Sequence, residues 1–259
     1  MPSGRFCCLK WRCLVKNKKV SICCFTDGLQ QYPDNPGLVA VDVIRATTMA
    51  ITAVAMGRKC YVVPTLKAAF EVASRLPNAL LAGELGGNMP AGFDMTNSPD
   101  QLAALTDTSR PLVLLSSSGT RLMHEIRLSD SAYLACFRNY GATIDYLADN
   151  HSAVVLIGAG THDEFREEDQ MCCAWIADGL MEYGFAPEDA TTRQLVERWR
   201  GAPLKAFLIS RSVEYLRNSG QLHDLDFILN RFDDIDAACK LSENEVTSLP
   251  VAVEVDIWS

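Results

Sequence analysis

The chain has 259 residues, 48% of them hydrophobic and 22% charged, enough apolar material for one large α/β domain or two small ones and too much for a disordered chain. Its net charge is −8, and it is unevenly spread: Arg5, Lys10, Arg12, Lys16, Lys18 and Lys19 give the first 26 residues +6, leaving −14 on the remainder. So acidic a body argues against nucleic acid as the main partner, although a few local cations are enough to bind a small anion.

Residues 1–18 are basic and lack periodicity, so they read as a disordered tail ahead of a single domain, 19–259. The first strand is Val20 to Phe25. A second, 38–44, leads into a helix over 46–56 that Gly57 ends. Strand 59–63 precedes helix 66–75, and strand 79–83 runs into a glycine-rich loop, 84–99. Strand 112–116 passes through Ser116-Ser117-Ser118-Gly119-Thr120 into a helix. Strand 131–135 and helix 139–149 follow, then strand 153–157, the loop Gly158-Ala159-Gly160-Thr161 and a long helix over 167–183. Residues 187–232 read as several helices, and a last strand, Val251 to Val255, is expected antiparallel at a sheet edge. Strands alternating with amphipathic helices predict an α/β fold: three layers, α/β/α, around a mostly parallel, mixed sheet, with a helical C-terminal part.

No apolar run approaches the roughly 18–20 residues that span a bilayer, and the basic N-terminus has no apolar segment of a secretory leader. The expectation is a cytoplasmic protein with no membrane partner. The ten cysteines stand in adjacent pairs or alone, never as C-x-x-C, so zinc spacing is absent and reduced thiols filling the core are expected.

Four strand ends carry the chemistry, and they converge only if they share one edge of the sheet. The first reads Asp42-Val-Ile-Arg45-Ala-Thr47-Thr48. A buried strand has no packing reason to carry Asp and Arg three residues apart. A carboxylate there can hold a hard cation or attack phosphorus, and the N–H groups of the next helix suit phosphate. The second, Gly83-Glu84 through Gly92-Phe93-Asp94 to Asn97-Ser98-Pro99, offers another carboxylate. Ser98 reads as the N-cap of a helix with Pro99 in its first position. The third, Ser116 to Thr120, is a hydroxyl-rich cradle without the lysine of a P-loop. The fourth runs from Gly158 to Asp169, where acids at a helix start suit its dipole. His162 in that loop is a weaker candidate for acid–base work. No His pair has ligand spacing, and no esterase elbow or dinucleotide fingerprint occurs. Acids without soft ligands favour magnesium.

Together these stretches resemble one family, the magnesium-dependent 2-phosphosulfolactate phosphatases (ComB-like proteins) of coenzyme M biosynthesis. The likeness lies in Asp42, Arg45, Ala46, Thr47 and Thr48; in Gly83, Glu84, Gly92, Phe93, Asp94, Asn97, Ser98 and Pro99; in Ser116 to Thr120; and in Ala159, Gly160, Glu168, Asp169 and Cys172. It covers residues 38–175 in order and continues more weakly to the C-terminus. Leu85 stands where the family has Arg, Ser118 where it has Asn, and Thr96 where it tends to have Gly. The resemblance implies hydrolysis of a small anionic phosphate ester, (2R)-2-phospho-3-sulfolactate, to sulfolactate and phosphate. Asp42, Glu84 and Asp169 would supply carboxylates for Mg²⁺ and, with Arg45, for the chemistry. Thr47, Thr48, Asn97, Ser98, Ser118, Gly119, Thr120 and Thr161 would bind the substrate. Which carboxylate is the nucleophile stays open, as does assembly into a homo-oligomer. Two rival readings are another metal-dependent phosphatase acting on a different ester and an anion-binding protein without turnover. A haloacid-dehalogenase-like enzyme is disfavoured, because Ile44 stands where that class has a second Asp.

Overall fold

The computed structural model of the chain describes residues 18–25, 35–160 and 164–250. Strands and helices alternate as the pattern predicts: β1 (Lys19–Cys24), β2 (Gly37–Val41), α1 (Ala46–Ala55), β3 (Cys60–Val63), α2 (Leu66–Ala73), β4 (Leu80–Gly83), α3 (Pro99–Ala103), β5 (Leu112–Leu115), α4 (Gly119–Ile126), β6 (Ala132–Ala135), α5 (Tyr140–Asn150), β7 (Ala153–Gly158) and α6 (Glu167–Glu182). The C-terminal part holds a two-residue strand, β8 (Ala186–Pro187), then α7 (Ala190–Trp199), a 3-10 helix (Leu204–Ile209), α8 (Arg211–Asn218) and α9 (Leu222–Asn230). A hairpin of β9 (Ala237–Ser242) and β10 (Glu245–Pro250) closes the described chain. The expected basic tail up to residue 17 and the expected strand Val251 to Val255 lie outside the described residues, as do Thr161 and His162.

The ten strands form one mixed sheet in the order β4-β5-β3-β10-β9-β6-β2-β7-β1-β8. Six of its pairings are parallel and three antiparallel, with helices on both faces. The antiparallel pairings all belong to the hairpin, which sits in the middle of the sheet. Sequence reading did not foresee this pair. Its connecting residues, Glu243 (φ 55°) and Asn244, include no Gly or Pro, so the usual hairpin signal is missing.

The hairpin reverses the direction of the sheet. Three successive antiparallel steps make β3, β5 and β4 run opposite to β6, β2, β7 and β1. The polar strand ends therefore do not share the single carboxyl edge on which sequence reading made their convergence depend. They meet nonetheless. The start of α4, which follows β5, comes up against Asp42 and Ala46, where β2 passes into α1.

Alternation along the strands decides which layer each side chain enters. Val39, Val41, Val154 and Leu156 face α5, α6 and the C-terminal helices. Ala40, Val155 and Ile157 face α1 and α4, and there they share a core with Cys60, Val62, Leu112 and Leu114 of the other half. Val63, Val113 and Leu115 pack under α2. Because both halves bury onto α1 and α4, the starts of those two helices are drawn together. Cys60, Cys136, Cys172, Cys173 and Cys239 are buried and form no disulfide. Burial pushes their thiols up, Cys136 to about 11 and Cys239 to about 12, so they serve as the expected apolar filling rather than as nucleophiles. Among the described residues no helix is long and apolar enough to cross a membrane.

Candidate active site

Asp42 leaves the end of β2 and turns its side chain under the first turn of α1. Its Oδ1 accepts the Ala46 N–H at 3.2 Å, and its carbonyl accepts the Thr47 N–H at 3.0 Å and the Thr47 hydroxyl at 2.7 Å. The Ile44–Arg45 peptide between strand and helix is cis. Thr48 closes the same turn, its hydroxyl donating to the Val43 carbonyl at 2.7 Å. Across the corner β5 passes into α4 in a similar way. The Thr120 hydroxyl donates to the Ser116 carbonyl at 2.8 Å and accepts the Ser116 N–H at 2.9 Å. Thr47, Thr48 and Thr120, all expected to bind substrate, thus have hydroxyls engaged in building the two helix starts.

Neither α1 nor α4 is capped by the side chain of its N-cap residue, Arg45 or Ser118. The first N–H groups of a helix have no partner within it and carry partial positive charge. At α4 these groups come up against Asp42: a Cβ built on Gly119 would stand 2.1 Å from Asp42 Oδ2 and 2.5 Å from the Ala46 Cβ. Only a residue without a side chain allows this approach. A carboxylate oxygen and the start of a second helix thereby face the same small space.

Three further acids gather on Asp42. Asp169, at the start of α6, accepts the Val43 N–H at 2.8 Å. Glu168 beside it is buried, with Oε2 lacking a hydrogen-bond partner among the described residues. Glu84 reaches in from the end of β4. Its Oε1 accepts the Ser117 N–H at 2.7 Å, and its Oε2 accepts the Gly87 N–H at 2.8 Å and the Ser117 hydroxyl at 3.0 Å. The tight turn this needs passes through Gly86 and Gly87, at φ 58° and 82°. Burial, then the nearby charges of Glu84 and Glu168, push Asp42 up to about 7, against the opposing Ala46 hydrogen bond and Arg45 charge. Burial, then Glu168 and Asp42, hold Asp169 well above the usual carboxylate range. Glu168 is raised too, chiefly by burial. The pocket is short of positive charge.

Among the described residues no three His, Cys, Asp or Glu side chains are arranged to hold a metal ion. The expected set Asp42, Glu84 and Asp169 is therefore a group of neighbours and not a finished ligand shell. Both Glu84 oxygens are taken, by Ser117 of the β5–α4 turn and by Gly87 of its own loop, whereas Asp42 and Asp169 each accept one hydrogen bond among the described residues. The donor chemistry suits a magnesium ion, which binds through one or two carboxylates and keeps water and phosphate oxygens as its other ligands.

Arg45 is buried and donates from Nη1 to Asp224 and to Gln221, two residues the sequence did not single out. Ser98 caps α3 as expected, accepting the Gln101 N–H at 3.2 Å, while its hydroxyl donates to Asp224 Oδ1 at 2.6 Å. Asn97 is buried, and its Oδ1 has no partner among the described residues. Tyr215 of α8 donates to the Gly87 carbonyl at 2.7 Å, tying the glycine-rich loop to the C-terminal helices. Asp42, Arg45, Glu84, Asp169, Thr47, Thr48, Ser98, Gly119 and Thr120 all belong to this corner. Expected Thr161 is outside the described residues. Glu168 reads in sequence as helix-dipole charge and as part of the family likeness, and the structure adds its burial. Asp224 and Gln221 carried no signal, because their partner is more than 170 positions away.

The sequence profile described as 2-phosphosulpholactate phosphatase matches residues 24–244. The protein named probable 2-phosphosulfolactate phosphatase from Pseudothermotoga lettingae is 38% identical over 190 residues, 73% of this chain and 82% of its own. Those from Carboxydothermus hydrogenoformans and Synechocystis sp. bear the same name. The first is 33% identical over 165 residues, covering 63% of this chain and 68% of its own. The second is 30% identical over 207 residues, covering 76% and 85%.

Proposed function

The chain belongs to the 2-phosphosulfolactate phosphatase family of phosphoric monoester hydrolases, and on that premise we propose that it hydrolyses (2R)-2-phospho-3-sulfolactate to 3-sulfolactate and phosphate with the help of Mg²⁺. The observation that carries this reading is the close approach of the start of α4 to Asp42 inside a cluster of buried acids. A phosphate monoester is a compact double anion, and its hydrolysis is mostly a matter of positioning and charge neutralisation. The N–H groups at the start of α4 and Arg45 receive its non-bridging oxygens. Asp42 lies next to phosphorus, with Asp169 behind it through the Val43 N–H. Glu84 fixes the loop that follows β4 and adds to the acidic field.

Asp42 and Asp169 are the residues that would hold the magnesium ion, with Glu84 completing the acidic set. When bound, the ion supplies the positive charge that lets the acids and the phosphate share one space. The reaction breaks the ester P–O bond, adds one water across it and releases the sulfolactate hydroxyl. Leu85, in place of Arg, removes a cation that could meet the sulfonate, so the same chemistry on a different small acidic ester is the second reading.

Phosphate release from phosphosulfolactate and from a panel of phosphate monoesters, measured with Mg²⁺ and with EDTA, tests both. Turnover that falls at least a hundredfold in EDTA and returns with Mg²⁺ is expected. Undiminished turnover in EDTA removes the magnesium assignment. A substrate other than phosphosulfolactate turned over fastest selects the second reading, and binding without turnover across the panel overturns the phosphatase assignment.

A further inference from the structure

Arg45 is anchored by groups from the far end of the chain. Its Nη1 donates to Asp224 Oδ2 and to Gln221 Oε1. The side chains of Arg45 and Asp224 are 4% and 0% exposed, so this ion pair is formed out of water. The other Asp224 oxygen accepts the Ser98 hydroxyl at 2.6 Å and the Asp100 N–H at 3.2 Å. One carboxylate thus collects donors from the start of α1, from the cap of α3 and from its first turn. Gln221 is itself held in place, its Nε2 donating to the Ser219 hydroxyl at 2.9 Å.

An arginine side chain loses much rotamer freedom when fixed, and a donor that must reorient during reaction stabilises developing charge less than one already in place. The guanidinium has five N–H donors in a rigid fork, and anchoring Nη1 leaves the edge formed by Nε and Nη2 oriented. Arg45 is the N-cap residue of α1, directly before Ala46, whose N–H meets Asp42 Oδ1 at 3.2 Å, so the guanidinium springs from the reacting corner.

We propose that Asp224, assisted by Gln221, is a positioning residue that fixes the Arg45 guanidinium beside Asp42, so that its remaining N–H edge meets an anionic oxygen of the substrate without rearrangement. The inference rests on the phosphatase reading above. It also accounts for Ser98, whose hydroxyl orients Asp224 as well as capping α3.

The test is a double-mutant comparison of phosphate release by the full chain, its Asp224→Asn and Arg45→Ala variants and the two combined. Asp224→Asn is expected to lower kcat/KM about a hundredfold, the scale of a misplaced reacting group. In the Arg45→Ala background the same change is expected to cost less than about threefold, since residues acting as a unit are non-additive. Added guanidinium at millimolar concentration restores part of the Arg45→Ala activity, and the rescue is lost when Asp224→Asn is also present. Equal losses in both backgrounds, or equal rescue with and without Asp224, overturn the inference while leaving the phosphatase reading intact. A parental chain that hydrolyses no ester of the panel defeats that reading, and this inference with it. Should Asp224→Asn not fold, Gln221→Ala is carried through the same comparison, and equal losses in the two backgrounds are again the contrary result.

Discussion

Asp42→Asn is expected to lower turnover by at least a thousandfold and, in EDTA at pH 8, to make the protein more stable than the parent. The two effects share one cause. Asp42 is buried at a corner where burial and neighbouring acids hold it at about 7 instead of the usual 3.8. A carboxylate raised in the folded state binds its proton more tightly there than in the unfolded chain. Its neutral form costs nothing extra at low pH, and stability is lost as pH rises above 3.8 and through about 7. The difference corresponds to about 4 kcal/mol at pH 8. Asparagine keeps the shape and can still accept the Ala46 N–H, but carries no charge. Urea unfolding at pH 8 and at pH 4 measures the effect: the variant gains a few kcal/mol at the higher pH, and the gain largely disappears at the lower. With Mg²⁺ present the gain shrinks, because the ion binds the parent and stabilises it. A variant that turns over at the parental rate makes Asp42 a structural cap only, and a variant less stable than the parent at pH 8 contradicts the assigned burial of its charge.

Gly119→Ala carries the second large effect. The added methyl would stand 2.1 Å from Asp42 Oδ2 and 2.5 Å from the Ala46 Cβ. Neither neighbour is the free end of a flexible chain: Asp42 is held by Ala46, and Ala46 belongs to α1. The start of α4 must therefore back away from Asp42. Overpacking of this kind costs about 1–3 kcal/mol, and the separation of carboxylate from helix start is expected to lower kcat/KM by about two to three orders of magnitude. Thermal unfolding and initial rates measure the two losses. An alanine variant with parental kcat/KM shows that the close approach of α4 is not needed for turnover.

Much of this corner is legible in sequence because its residues sit where strands become helices. Asp42 and Arg45 interrupt an aliphatic run, Glu84 opens a glycine-rich loop, and Asp169 begins a helix. Such breaks in pattern are local, so a local reading finds them. The roles within the corner are less legible. Whether a threonine hydroxyl faces a ligand or its own backbone depends on a turn four or five residues long, and at Thr47 and Thr120 the backbone takes it. Glu167, Glu168 and Asp169 look alike along the chain. Glu168 and Asp169 are buried, whereas Glu167 is only partly so, because α6 turns their side of the first turn toward β2. Asp224 was invisible for a further reason: an ion pair joined across 179 positions leaves no trace in spacing. The overall layers followed from alternation, while the reversal of direction across the sheet did not, because the hairpin that causes it has polar residues such as Lys240, Thr247 and Ser248 within its strands.

That hairpin also sets the order in which a nascent chain can become an enzyme. β3 and β6 are synthesised early, yet each keeps one raw edge until residues 237–250 have left the ribosome and slid between them. Until then the polypeptide consists of two half-sheets with exposed edges, the form most open to pairing with other chains. A chain stopped ahead of Ala237 would leave β3 and β6 each with an unpaired edge and is expected to aggregate rather than to keep partial activity.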